Sequence, residues 1–353
     1  MKAEAHKQRF FMIDIVRILC ALIIFVRHAQ TMAGFYFGNI IGPLCISMTN
    51  IVMTCFFILS GFSLYLSHGG GEQFTKKYIL RFYAKRFISV LPLYYLVHIL
   101  WVLFFEENII EALIYTPIEI LGIQSVFSSV FGVMHNGGTW FVSCILLCYI
   151  VYPLFTNIIQ DTSRIKIKTL FLILIMLYYY LPYYGALTGS ISLYTNPFER
   201  MLEFFIGILL AYLRKSDNRN ERDVYNVKKA CLIVIVSAVF LVLSYYISIT
   251  WMMNLSIIFI CVGLYYSTKV RYEPLDNNKI LHYISTLTYP FYLFQMLLWT
   301  PSLKIISWLG MENSKWSFLI ALTLLILMCI ISNELYVKPI KKIMISAQKY
   351  HKT

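Results

Sequence analysis

Charged residues are scarce in this chain of 353 residues. Asp, Glu, Lys and Arg make up 13% of it, while hydrophobic residues make up 59%. A soluble domain carries roughly 25% charged residues. A chain of this composition cannot cover its apolar surface with polar groups in water. The scarcity of charge therefore excludes soluble enzymes and disordered tails, and it leaves an integral membrane protein.

Acidic residues are scarcer still, with 17 Asp and Glu against 30 Lys and Arg and a formal net charge of +13. In a membrane protein this excess has to be interpreted by its location, because Lys and Arg accumulate in cytoplasmic loops. The positive charge is then a signal of topology. We predict a protein that lies in a lipid bilayer and has no nucleic-acid partner.

The chain also lacks a pattern of metal ligands. All eight cysteines fall inside predicted membrane spans, where a thiol serves as a small apolar side chain. Cys144 and Cys148 share a helix face, but no histidine lies near them in the sequence. Zinc sites normally combine four Cys, His or carboxylate ligands. We therefore predict no metal site.

Ten apolar stretches approach the roughly 20 residues that a helix needs to cross a bilayer. The segment 117–133 is apolar but interrupted by polar residues, and we predict a re-entrant or surface piece of a long loop there. The predicted spans are 11–33, 43–66, 87–106, 138–157, 169–185, 198–214, 229–248, 250–268, 281–302 and 316–338.

The distribution of basic residues supports this layout. Twenty-five of the 30 Lys and Arg lie in the terminal segments and in alternate loops, whereas the long loop 107–137 has none. The positive-inside rule then places both termini in the cytoplasm. The predicted fold is all-α, a polytopic membrane bundle of about ten transmembrane helices. Residues 1–353 are expected to form a single transmembrane domain.

Three arginines, Arg17, Arg27 and Arg200, lie within predicted spans. Each costs about 2.5–3.5 kcal/mol at a helix centre on insertion scales, so each is expected to have a partner, a cavity or a ligand. Arg27 lies off the polar face of its helix, and we expect its long side chain to extend outward toward the membrane surface.

Span one carries a narrow polar stripe formed by Asp14, Arg17, Ala21 and His28. Asp14 and Arg17 are three residues apart and can pair on one helix face. The eleven residues from Arg17 to His28 correspond to about three turns, or about 16 Å. One reading is an interfacial ion pair with a histidine bonded to a neighbouring helix. We favour a functional cavity, with Asp14, Arg17 and His28 as its catalytic residues.

Two further groups have a structural and a functional interpretation. Glu199, Arg200 and Glu203 lie at the outer end of span six, where they could form a structural ion pair or contact a substrate. Lys85 and Arg86 lie at the cytoplasmic end of span three. They could anchor the helix, or they could bind an anionic cytosolic ligand, because Arg and Lys bind phosphates well.

Taken in order, these elements resemble the membrane-bound acyltransferase family 3, which O-acylates surface polysaccharides and lipid-linked sugars. The resemblance runs from about residue 11 to residue 340. The motifs that carry it are IDIVR with Arg17-x10-His28, CFFILSGFSLYL (55–66), Lys85-Arg86 through Pro92 and Tyr94, Trp140-x8-Tyr149-x3-Pro153, Arg200-x2-Glu203-x3-Gly207 and ISTLTYPFYLFQ (284–295).

Three positions depart from the family pattern. Ser89 stands where the family often has a second Arg, and Gln295 stands where it often has a His. Ile145 replaces a Glu, and this change resembles the Trp-Phe-Leu subgroup, which includes transferases of exopolysaccharide and capsule pathways. No appended extracellular domain is expected.

The resemblance implies an O-acyltransferase with cytosolic acyl-CoA, most often acetyl-CoA, as co-substrate and no bound cofactor. It implies a multi-pass protein of the bacterial plasma membrane, with a surface glycan or lipid-linked sugar as acceptor. Lys85 and Arg86 would bind the donor, and His28 would deprotonate the acceptor hydroxyl. Direct transfer and an acyl-histidine intermediate are both compatible with this arrangement.

The remaining site residues are expected on the acceptor side or in structural roles, and two other functions stay open. One is a transporter or flippase for an oligosaccharide or a small anion, because buried charges suit that function as well. The other is a non-catalytic subunit of a polysaccharide synthase. The residues assigned to the acceptor side or to structure are Trp140, Tyr149, Arg200, Glu203 and Gln295.

Overall fold

The computed structural model describes residues 9–68, 75–104, 109–127, 137–188, 193–220, 227–246, 250–311 and 315–350. These residues form helices and connections, and none of them lies in a β-strand. The α-helices are α1 (Phe11–Ala33), α2 (Gly38–Ser47), α3 (Thr49–His68), α4 (Lys76–Phe104), α5 (Ile109–Leu121), α6 (Trp140–Gln160), α7 (Arg164–Thr188), α8 (Pro197–Asn220), α9 (Val227–Tyr246), α10 (Thr250–Ser267), α11 (Glu273–Asp276), α12 (Lys279–Thr286), α13 (Thr288–Trp308), α14 (Lys315–Ser332) and α15 (Lys338–Tyr350).

Each of the ten predicted spans coincides with a helix of at least 18 residues, a length that rises about 27 Å or more. Charged residues inside a helix such as α1 lower its mean hydropathy. For this reason, only some of the helices are apolar along their whole length. The prediction of an all-α membrane bundle is confirmed. Four described segments are long and apolar enough to cross a bilayer by themselves: Thr49–His68, Lys76–Phe104, Trp140–Gln160 and Phe318–Met344.

Several predicted boundaries differ from the structure. The second span is broken at Met48 between α2 and α3, and the ninth is broken at Leu287 between α12 and α13. The third span is longer than predicted, because α4 begins at Lys76 and continues for 29 residues, a rise of about 44 Å. Lys85 and Arg86 are therefore held on a helix that is continuous with the membrane span.

Helices α3 and α8 make the most extensive helix–helix contact among the described residues. A Cβ atom added to Gly61 of α3 would lie 2.0 Å from the carbonyl oxygen of Phe204. A Cβ atom added to Gly207 of α8 would lie 2.0 Å from the carbonyl oxygen of Ile58. Two glycines thus let the helix backbones touch, as small residues do in many membrane helix pairs.

The segment predicted to be re-entrant folds as α5 and a 3-10 turn at Gln124–Val126. Its side chains at Glu119 and Gln124 are buried. His98 Nδ1 of α4 lies 3.2 Å from Glu119 Oε2, and Gln124 Nε2 donates to the Tyr94 hydroxyl at 3.1 Å. This part of the loop therefore inserts into the bundle, while residues 128–133 of the prediction lie outside the described residues.

Two ends of the bundle can be distinguished. We call one the basic end: it is where the start of α1, the end of α3, the start of α4 and the end of α8 meet around one cavity. We call the other the far end: it contains the C-terminal part of α1 and the start of α6.

Candidate active site

A cavity of about 1030 Å³ opens at the basic end of the bundle. Its lining residues come from the segment leading into α1, from α1, α3, α4, α6, α8 and α12. Asp14 is the single carboxylate among the described residues that line it, and it stands against seven Lys and Arg side chains. These cations are Arg9, Arg17, Arg81, Lys85, Arg86, Arg214 and Lys215.

The strong excess of positive charge suits a polyanionic ligand, because guanidinium and ammonium groups form charge-assisted hydrogen bonds with phosphate oxygens. Lys85 and Arg86 were expected at such a site, and both line the cavity. Arg214 and Lys215 at the end of α8 were assigned only to topology from the sequence. Their place opposite α4 depends on helix packing, which no local sequence signal reports.

Arg86 is oriented by three neighbours. Its Nη2 lies 3.3 Å from His68 Nε2, and its guanidinium carbon lies 5.6 Å from the Phe82 ring centroid and 5.9 Å from that of Tyr149. Tyr149 therefore lines the basic cavity. The sequence assigned Tyr149 to the acceptor side or to a structural role. It lies at the basic end, because α6 continues from the far end to this cavity.

Asp14 forms the polar junction between α1 and α12. It accepts a hydrogen bond from the Ser285 hydroxyl at 2.6 Å, and its other oxygen lies 3.4 Å from His282 Nδ1. Arg17 Nη1 lies 3.6 Å from Asp14 Oδ1, as the three-residue spacing predicted. Ser285 and His282 were not assigned roles from the sequence, because they are more than 260 positions from Asp14.

Arg17 also connects α1 to α3. Its Nη2 donates to Ser63 Oγ at 2.9 Å, and both residues line the cavity. Two neighbours on different helices therefore fix the guanidinium beside the site where an anion would bind. Ser63 lies within the CFFILSGFSLYL motif, so that motif supplies a polar contact to Arg17 as well as the glycine that packs against α8.

His28 lies three turns beyond Arg17 on α1, near the far end. Its imidazole is partly buried and has the Gln295 side chain of α13 beside it. His28 Nδ1 is buried and has no hydrogen-bond partner among the described residues. An imidazole nitrogen that no protein group occupies can accept a proton from a bound hydroxyl. Gln295, expected on the acceptor side or in a structural role, thus lies next to His28.

Arg27 does not extend outward as expected. Its side chain interacts with the Tyr194 hydroxyl, which lies in the short 3-10 turn Leu193–Thr195 before α8. It also lies near Tyr292 of α13, and its Nε is buried. The helix face that carries Arg27 is directed toward α8 and α13, so the residue is directed into the bundle.

Arg200 is enclosed by two carboxylates. Its guanidinium lies 3.3 Å from Glu199 Oε1 and 3.0 Å from Glu203 Oε2, and its carbon lies 5.7 Å from the Phe57 ring centroid. Arg200 is 2% exposed and Glu203 is 0% exposed. Both predicted ion-pair partners are therefore in contact. The burial of the cluster favours a structural role at the α3–α8 contact.

Trp140 begins α6 at the far end and is 4% exposed. Its ring centroid lies 4.9 Å from that of Tyr194 and 6.4 Å from that of Phe57. Trp140 therefore links the Arg200 cluster to the tyrosine that contacts Arg27. Its aromatic contacts pack the start of α6 against α3 and against the turn before α8.

Comparison with known proteins agrees with this geometry. The family model for an acyltransferase domain, that of acyltransferase family 3, matches residues 11–333. No curated protein and no solved structure shows significant similarity to the chain. The match covers the helices that form the basic cavity and the helix that carries both Arg17 and His28. The chain belongs to membrane acyltransferase family 3.

Proposed function

We propose that this acyltransferase uses acyl-CoA, most often acetyl-CoA, and transfers the acyl group to a hydroxyl of a surface polysaccharide or lipid-linked sugar. The donor would bind at the basic end, on the cytoplasmic side of a bacterial plasma membrane. The acceptor would bind at the far end, outside the cytoplasm. The observation that carries this proposal is the cationic cavity with Arg17 in its wall, continued by α1 to His28.

The donor half of the proposal depends on charge. The phosphates of CoA require several cations, and seven Lys and Arg side chains line a cavity of about 1030 Å³. Lys85 and Arg86 on α4 and Arg214 with Lys215 on α8 would bind the phosphates. The extended pantetheine arm can cover the roughly 16 Å between Arg17 and His28, so the thioester would reach the imidazole.

The acceptor half depends on His28. As a general base, its ring would take the proton from the sugar hydroxyl while the hydroxyl oxygen attacks the thioester carbonyl carbon. The carbon–sulfur bond then breaks, and the departing CoA thiolate receives the proton from the imidazolium. A new ester and free CoA are the products. In the alternative route, the His28 nitrogen attacks the thioester carbonyl carbon and expels the CoA thiolate. The oxygen of the sugar hydroxyl then attacks the acyl carbon and displaces the neutral imidazole, and the hydroxyl proton passes to the thiolate.

Asp14 and Arg17 would act together with the donor. Asp14 is held by Ser285 and His282, so its carboxylate is fixed next to Arg17. Arg17 remains directed into the cavity, where it can meet the donor between the phosphates and the thioester. Loss of Arg17 is therefore expected to abolish transfer without preventing insertion into the membrane.

Mass spectrometry of surface glycans tests the proposal in cells. Glycans from cells that express the wild-type protein should carry an added acyl mass, which also identifies the acyl group. The same mass should be missing with His28→Ala and with Arg17→Ala at equal membrane expression. Full acylation by the His28→Ala protein would contradict the proposed mechanism.

A turnover assay in proteoliposomes separates the acyltransferase from a transporter. The proposed enzyme consumes acetyl-CoA and releases free CoA when an acceptor glycan is present. A flippase or exporter moves the glycan without consuming acetyl-CoA. Movement of glycan with no release of CoA would therefore exclude the proposed activity in favour of transport.

A further inference from the structure

The three arginines inside the membrane spans differ in how their charge is balanced. Arg17 lies 3.6 Å from a carboxylate oxygen of Asp14, and Arg200 lies within 3.3 Å of both Glu199 and Glu203. Arg27 forms no ion pair with any carboxylate among the described residues. A charge within a bilayer normally has a partner, faces a cavity or binds a ligand. Of Arg17, Arg27 and Arg200, Arg27 is therefore the one whose counter-charge the described part of the chain does not supply.

The neighbours of Arg27 are polar but uncharged. Its guanidinium contacts the Tyr194 hydroxyl and lies near Tyr292. Burial raises the pKa of the Tyr194 phenol, so this hydroxyl stays protonated at neutral pH. Tyr194 therefore holds the guanidinium in place without cancelling its charge.

Arg27 also lies beside the reacting centre. It precedes His28 on α1, and its charge acts on the His28 ring. Arg27 and His28 are both partly exposed, so a substrate bound against the imidazole can reach the guanidinium. Gln295, whose side chain also lies beside His28, is a neutral amide. Arg27 is thus the cation that a negatively charged group near the transferred acyl carbon would meet.

We propose that Arg27 binds a carboxylate of the substrate at the far end and so selects a negatively charged substrate. A guanidinium binds a carboxylate through two parallel hydrogen bonds, and one cation beside neutral tyrosine suits a single negative charge. This inference rests on the proposed function. The carboxylate has two possible sources: the acyl group itself, when it derives from a dicarboxylic acid, or a uronate unit of the acceptor glycan.

Paired probes in an equilibrium binding experiment test this proposal. Each pair differs by one carboxylate: succinyl-CoA with acetyl-CoA, and cellobiouronic acid with cellobiose. The full-length protein in nanodiscs should bind the anionic member of one pair more tightly, and that pair identifies the source. Arg27→Gln should reduce this preference by about 10- to 100-fold, and Arg27→Lys should keep part of it.

A control variant at the basic end shows whether the loss of carboxylate preference is specific to Arg27. Arg86→Gln should weaken both CoA probes equally and leave the anionic-to-neutral ratio unchanged, because Arg86 lies in the basic cavity. A ratio near one for both pairs in the wild-type protein would overturn the proposal. A preference that survives Arg27→Gln, or an equal loss for both members of a pair, would overturn it as well.

Binding is measured without turnover, so this test is independent of the proposed activity. Failure of the wild-type protein to release CoA from any donor would contradict the proposed function. It would leave the carboxylate preference to be decided by the binding ratios alone. An equal loss for both members of a pair would assign Arg27 to structure or to the oxyanion of the transfer step.

Discussion

The basic end and the far end of this bundle use charge in opposite ways. Seven cations face one carboxylate in a large cavity at the basic end. Among the described residues that act on the His28 ring at the far end, Gln295 is a neutral amide and Arg27 is a cation, and Arg27 contacts the Tyr194 hydroxyl. In the proposed function, affinity for a polyanionic donor resides at the basic end and the transfer chemistry at the far end. Changes at the two ends should therefore affect different kinetic constants.

Helix α1 joins these ends, and the α3–α8 contact keeps the surrounding helices in place. Arg17 reaches Ser63 on α3, and α3 in turn touches α8 through Gly61 and Gly207. The spacing between Arg17 and His28 is fixed by the helix itself. Their placement relative to the donor cavity depends on how closely α3 and α8 approach.

The largest effect is expected from Gly207→Ala, which should abolish the function of both ends together. The new methyl group would lie 2.0 Å from the backbone oxygen of Ile58, so the helices would have to separate. We expect loss of folded protein in detergent, measured by size-exclusion chromatography and thermal unfolding. Gly263→Ala is the matched control, because its methyl group would meet Ser237 Cβ at an ordinary 3.5 Å. A stable, active Gly207→Ala protein would show that the close approach of the helices is dispensable.

The next effect is expected from His28→Ala, which should affect the transfer chemistry at the far end but not donor binding at the basic end. Removing a general base typically lowers the rate by about 10²- to 10⁴-fold. Binding of acetyl-CoA should be retained, because the basic cavity does not include His28. Single-turnover rates and equilibrium binding on the same preparation check both parts. A parallel loss of donor affinity would contradict the separation of binding from chemistry.

A smaller effect, of opposite kind, is expected when Lys85 and Arg86 are both replaced by Gln. The KM for acetyl-CoA should rise by about 10- to 100-fold, because two charge-assisted contacts to phosphate are removed. The value of kcat at saturating donor should change little. Lys304→Gln, an exposed change beyond the far end, is the control. A fall in kcat with unchanged KM would place these residues in the chemistry instead.

The smallest effect is expected from Lys215→Gln on α8. Its ammonium group lies 5.5 Å from the Tyr65 ring centroid at the cavity wall. A partly exposed charge contributes about 0.2–1 kcal/mol, which corresponds to at most about a fivefold rise in KM. Lys166→Gln, an exposed lysine on α7, should leave KM unchanged. Equal KM values for the two variants would show that Lys215 does not contribute to binding of the donor.

The sequence alone predicts the features that arise within one helix. The ten spans follow from apolar length, and the contacts of Arg17 with Asp14 and of Arg200 with Glu203 follow from a spacing of three residues. Both Lys85 and Arg86 also lie where the sequence placed them. These features need only helical periodicity and the cost of charge in a bilayer.

Features that arise between helices could not be predicted in this way. Tyr149 lines the basic cavity, which its expected place on the acceptor side or in a structural role did not indicate, and Arg27 is directed into the bundle rather than toward the membrane surface. The contribution of Lys215 to the cavity depends on the rotation of α8. Each of these depends on how helices distant in sequence rotate and pack, and no single-helix pattern encodes that rotation.

The sidedness of acyl transfer tests whether the donor binds at the basic end and the acceptor at the far end. Proteoliposomes with the protein in one known orientation would hold acetyl-labelled acetyl-CoA at the basic end and an acceptor glycan at the far end only. We predict that the label appears as an ester on the glycan while free CoA stays in the donor compartment. Transfer that requires donor and acceptor in the same compartment would contradict binding at opposite ends. Label that crosses the membrane as intact acetyl-CoA would contradict it as well.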